Sequence, residues 1–194
     1  MESPDISQFL STISFYITAK DNNKPHLLSH VFSESATLSM AVNTDSITFP
    51  SKTSGASEIS NVLVTHFNQR YENVYTFCLS DAIEREGSSL SCKWFVAMTE
   101  KESGLLRVGC GYYDWTFHTD IETNARAEIH GETNTRVDEL TITIEHMAAL
   151  AFQQTSYFFN ELSQLPYPWC ESSLVIQAVP SDPVLDEVRY FLVS

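Results

Sequence analysis

Ile6, Phe9, Leu10, Ile13 and Ile17 recur at helical spacing, with Tyr16 on the edge of the stripe, and predict an amphipathic first helix. Ser3, Pro4 and Asp5 supply its start: a capping hydroxyl, a proline in the first turn and an acid near the positive helix end. "KDNNK" breaks the helix. A short second helix follows, with Leu27, Leu28, Val31 and Phe32 as its apolar side. "SATLSMAV" reads as a first strand and "SITFP" as a short second one, ended by Pro50. The turn "SKTSGASE" leads into a third helix whose stripe is Ile59, Val62, Leu63, His66, Phe67 and Arg70.

Three long strands come next, at about 74–84, 89–99 and 105–118, joined by the hairpin turns "REGSS" and "EKESG". A polar stretch, 119–137, separates them from a last strand, "ELTITIEHM". Phe152, Thr155, Phe158 and Leu162 then suggest another helix, ended by "LPYPWC". "SDPVLDEVRYFL" carries a final helix start and the stripe Val184, Leu185, Val188, Phe191 and Leu192. Helices and antiparallel strands are segregated rather than alternating. The fold class is therefore α+β, not a parallel-sheet nucleotide fold.

Composition narrows this picture. At 194 residues, 43% of them hydrophobic, the chain can bury one sizeable core without staples. Eleven basic against 25 acidic residues leave a net charge of −14, which argues against a nucleic-acid or anionic-membrane surface. The start has no basic segment followed by an apolar one, and no stretch reaches membrane-spanning length, so a cytoplasmic protein is expected. Cys78, Cys92, Cys110 and Cys170 are scattered without CxxC spacing and are expected to be reduced apolar fillers.

The order of elements, with "HLLSHVFSESATLSM", "SGASEISNVLVTHF", "CKWFVAM" and "LRVGCGYYDWTFH", resembles the nuclear transport factor 2-like superfamily. That group includes the SnoaL-like polyketide cyclases and ketosteroid isomerase. The resemblance implies a cone-shaped, curved antiparallel sheet closed by three helices, over residues 1–148, with 149–194 as a C-terminal helical extension packed on the same domain. Alternation puts Gly109, Gly111, Tyr113, Trp115 and Phe117 on the concave face of their strand, where glycines let it bend and leave space. Leu106, Val108, Cys110 and Tyr112 form an apolar outer row, which points to a homodimer packed through that face.

The same resemblance places Tyr16 where the isomerase carries its oxyanion-hole tyrosine, a strong donor to a developing enolate. The isomerase's aspartate base falls at Met40, which cannot accept a proton, and its second oxyanion acid falls at Tyr113. The catalytic histidine of the dehydratase branch falls at Phe77, and Asp81 stands near the usual polar position of that strand. Independently, Leu140, Ile142, Ile144 and His146 share one face of the last strand, so His146 is a candidate acid or base at the cavity. His26 and His30 have the i, i+4 spacing of metal ligands but no third ligand, and no metal or cofactor is expected.

The expected function is binding of a small, largely apolar molecule in the cone. Tyr16, His146 and Asp81 are the candidate catalytic groups, and Tyr113, Trp115, Gly109, Gly111, Phe77 and Met40 the candidate contacts. Isomerase, lyase or hydrolase chemistry stays open. The competing class is a non-catalytic dimeric interaction or binding module.

Overall fold

The structure is a computed structural model that describes residues 6–120, 134–151, 153 and 155–194. The helix start at Ser3–Asp5, most of the polar stretch after Thr119, and Phe152 lie outside the described residues.

Helix α1 (Ile6–Asp21) lays Phe9, Ile13, Tyr16 and Ile17 against the sheet, all fully buried. Asn23, at φ 53°, turns the chain out of it. The expected second helix is a 3₁₀ turn, Pro25–His30, from which Phe32 already starts strand β1 (Phe32–Val42). "SITFP" is a loop and not a strand; β2 is Lys52–Ser54, just after it. Ile47 and Phe49 of that loop turn into the core, a role their alternation with polar neighbours mimics.

Helix α2 (Ala56–Ser60) runs through a π-helical stretch, Asn61–His66, into α3 (Phe67–Arg70). Then come β3 (Tyr71–Glu86), β4 (Ser89–Glu100), β5 (Leu106–Asp120) and β6 (Asn134–Leu150). Helix α4 (Thr155–Ser163), the short β7 (Trp169–Cys170), α5 (Ser172–Ala178) and α6 (Asp186–Val193) complete the chain. The sheet order is β2-β1-β6-β5-β4-β3-β7. It is antiparallel from β6 to β3, whereas β1 on β6 and β7 on β3 are parallel pairs.

Bulges curve this sheet. Register shifts interrupt β3 against β4 between Cys78 and Ile83, and β5 against β6 between Cys110 and Gly111. The concave face holds one apolar cluster with α1, α2 and α3. The convex face carries a second: Phe77, Leu79, Phe95, Leu106, Val108 and Cys110 pack against Phe158, Leu162, Val175, Val188, Phe191 and Leu192 of the extension.

That second cluster takes up the apolar row on which the dimer expectation rested. Leu106, Val108 and Cys110 are fully buried by the chain's own helices, and of the outer row only Tyr112 is exposed. An apolar row demands cover, and the helical stripes already noted after residue 152 supply it in the same chain.

Candidate functional site

The concave face encloses a cavity of about 50 Å³ between α1, the loop after β1, α3 and the inner side of β3 to β6. A buried water needs on the order of 10–15 Å³ of such space, so the cavity suits a few waters or a short organic group. Tyr16 and Lys20, one turn apart on α1, both reach it. Met40, Trp94, Tyr113, Ile142, Ile144 and Met147 contribute walls, and Ile47, Phe49 and Phe67 stand at its open end.

Aromatic rings pack densely behind that space. Tyr16 meets Trp115 at 5.2 Å, Tyr113 at 6.2 Å and Phe32 at 6.0 Å between centroids, all edge-on. Trp94 leans on Tyr113 at 5.6 Å. The Tyr16 hydroxyl and the indole N–H groups of Trp94 and Trp115 are buried and have no hydrogen-bond partner. Burial drives the Tyr16 phenol far above its ordinary acidity range. The nearby Asp21 charge adds to this, and Tyr113, placed to donate to a Tyr16 phenolate, opposes it. Tyr113 is raised as well, first by burial and then by Tyr16. Both stay neutral donors.

One polar cluster closes the end of α1. Lys20 donates to Asp21 Oδ1 at 2.5 Å and to Thr76 Oγ1 at 2.9 Å. Asp21 also accepts from the Thr76 N–H at 2.7 Å and from the Tyr167 hydroxyl at 2.9 Å. Both ion-pair side chains are almost wholly buried. The Lys20 ammonium stands 4.9 Å from the Phe67 ring centroid. This ion pair is buried, and its carboxylate also accepts from the Thr76 N–H, the Thr76 hydroxyl and Tyr167, the kind of added bonding under which a buried pair is tolerated.

The candidate residues separate. Tyr16, Tyr113 and Met40 line the cavity, and Trp115 packs behind Tyr16. His146 does not join them. Cys110 pairs with His146 but Gly111 pairs with Ile144, so Glu145 is an extra residue on β6. The bulge reverses alternation beyond Ile144: Met147 turns inward, and His146 faces the extension, its Nδ1 3.2 Å from Glu187 and its ring against Phe191. Tyr16 and His146 therefore stand on opposite faces of the sheet, and the structure does not bring them together as an acid–base pair.

Phe77 also faces outward, against Phe95 and Tyr167, because Thr76 and Cys78 take the inner positions of β3. Asp81 is an exposed helix anchor. Its carboxylate accepts from the Ser172 N–H at 3.0 Å and the Ser172 hydroxyl at 2.6 Å, at the start of α5. Gly109 and Gly111 do lie on the concave wall, but the space beside them is taken. A Cβ on Gly109 would strike Met147, and one on Gly111 would strike the Thr143 carbonyl and Trp94.

Lys20, Thr76 and Trp94 were missed in sequence. Lys20 carries a usable signal, a cation continuing the apolar stripe four residues after Tyr16. Trp94 follows from alternation with Cys92, Val96 and Met98, all buried on the inner face.

No family model matches this chain, and no curated protein matches it. Solved structures do. A nuclear transport factor 2-like superfamily protein from Salmonella enterica is similar with a TM-score of 0.51 at 15% identity, over 77% of this chain and 93% of that one. A candidate scytalone dehydratase from Novosphingobium aromaticivorans is similar with a TM-score of 0.53 at 10% identity, over 76% and 89%. A protein from Kribbella flavida gives 0.56 at 11% identity, over 74% and 92%. At such identities the likeness is one of fold, and the fold is the nuclear transport factor 2-like cone.

Proposed function

We propose that this protein binds a small, largely apolar molecule carrying a hydrogen-bond acceptor, held inside the cone by Tyr16 and Trp94. One observation carries this reading: two buried donors without a hydrogen-bond partner, the Tyr16 hydroxyl and the Trp94 indole N–H, belong to side chains that line a largely apolar cavity. Each such donor costs about 1–3 kcal/mol, and a ketone, ether or similar acceptor would recover that cost.

The reading is of a binder. Among the described residues no carboxylate or imidazole lines the cavity, Met40 stands where the resemblance puts an aspartate, and a thioether is no base. The competing interaction module loses support because its expected contact face is covered within the chain. A cytoplasmic setting belongs to this proposal and rests on four buried free thiols. No described helix is long and apolar enough to cross a membrane.

Calorimetric titration with cyclohexanone and with methylenecyclohexane, its near-isostere without the acceptor, tests the reading. A preference for the ketone that disappears in Tyr16→Phe supports it. Equal affinity for both compounds, or binding of neither, refutes it.

A further inference from the structure

A second space lies against the open end of the cone. It is a groove of about 120 Å³, formed by the loop residues Ile47–Pro50, by Val62, His66, Phe67 and Arg70, and by Tyr71. Ile47, Phe49 and Phe67 line both spaces, so the wall between groove and cone includes three apolar side chains. The groove's own charge is unlike the chain's. Acids outnumber bases 25 to 11 overall, yet among the described residues no acid lines the groove, while Arg70 and His66 do.

Arg70 is also uncommitted. Among the described residues it makes no ion pair, and its guanidinium rests 5.7 Å from the Tyr71 ring centroid. Glu100, a carboxylate near it, is already held by Arg107 at 2.9 Å and by the Ser103 hydroxyl. An exposed guanidinium beside an apolar floor is the arrangement that receives a carboxylate on a hydrocarbon tail.

We propose that the groove is the head-group site of an amphipathic monocarboxylic acid, with the carboxylate at Arg70 and the tail passing between Phe49 and Phe67 into the cone. This rests on the cone being a binding cavity and adds the class of molecule that enters it. Ser46 anchors the loop by donating to the Met147 carbonyl at 2.7 Å, and Arg107 donates to the Ser46 carbonyl at 3.3 Å. Phe49, three residues on, is then a side-chain gate on a held backbone.

Titration of the full chain with octanoate and with methyl octanoate is the test. The acid should bind about three- to ten-fold more tightly than the ester, as a partly exposed ion pair allows. That preference should shrink in high salt and vanish in Arg70→Gln, whose exposed site leaves the thermal midpoint unchanged. Equal binding of acid and ester by the wild type overturns the head-group site while the cone remains a binding cavity. An acid preference that survives in Arg70→Gln overturns it too. Binding of neither compound overturns the head-group site, while the ketone titration decides the cone by itself.

Discussion

Tyr167 donates its hydroxyl to Asp21 at 2.9 Å, so the C-terminal extension is bonded directly to the end of the first helix. Asp21 is also the counter-charge of the buried Lys20. Asp21→Ala should therefore be severe, costing about 3–5 kcal/mol, because it leaves an ammonium buried and unpaired. Tyr167→Phe removes one hydrogen bond to a charged acceptor and should cost about 1.5–3 kcal/mol. Urea unfolding of the two variants checks the ranking. A Tyr167→Phe loss equal to that of Asp21→Ala would mean that the ion pair contributes nothing of its own.

Tyr16→Phe should behave in the opposite way. The hydroxyl is buried without a partner, so the unliganded variant should be as stable as the wild type or more stable by about 1 kcal/mol. A clear loss of urea midpoint would show that the hydroxyl already has a partner in solution.

The order of the main elements was legible because α1, α4 and α6 carry helical stripes and the long strands are set off by hairpin turns, whereas the short α5 and β7 carried no such signal. Alternation also set the concave face of β5 correctly, since its pattern runs unbroken through Gly109, Gly111, Tyr113 and Trp115. It failed on β6 because the bulge at Glu145 leaves no mark in composition: His146 and Met147 exchange faces there, and with them went the proposed proton carrier. Phe77 failed for another reason, having been placed by resemblance against the parity of its own strand. The covering of the outer sheet face depends on packing between segments far apart in sequence, which periodicity does not report.

The same bulge explains the two glycines and ranks their substitution. At Gly111 an added methyl meets the backbone carbonyl of Thr143, which cannot step aside. At Gly109 the nearest obstacle is the end of the flexible Met147 side chain, with the His146 carbonyl at 2.9 Å behind it. Gly111→Ala should cost about 3 kcal/mol or more and Gly109→Ala about 1–2 kcal/mol, in the range of overpacked sites. Chemical denaturation should preserve that order. The reverse order would place the close approach elsewhere on β6.

Stability should fall in alkali. Burial raises the Cys110 thiol from its ordinary 9.0 to about 12, and burial likewise raises the phenols of Tyr16, Tyr113 and Tyr167. Each group keeps its proton longer in the folded state than in the unfolded chain. Their contribution is therefore complete below the unfolded values and is lost as pH climbs through the folded ones. The urea midpoint should hold to about pH 9 and then decline, with tyrosinate absorbance appearing only as the protein unfolds. Tyrosinate absorbance rising in full before unfolding would show these phenols to be open to solvent.

Truncation after Leu150 should convert the chain from self-covered to self-associating. The extension supplies Phe158, Leu162, Val175, Val188, Phe191 and Leu192 to the outer cluster. Without them Phe77, Leu79, Phe95, Leu106, Val108 and Cys110 form an open, contiguous apolar sheet face. The cone keeps its inner cluster, including α1 and the rings around Tyr16, but Asp21 loses the Tyr167 hydroxyl. Two copies can then bury the exposed faces against each other by a two-fold axis. Light scattering should show the truncated chain as a dimer or larger species at concentrations where the full chain is smaller. Asp81→Ala, which only loosens the anchoring of α5 at Ser172, should produce a weaker version of the same shift. A truncated chain that stays folded and monomeric would show that this sheet face needs no cover.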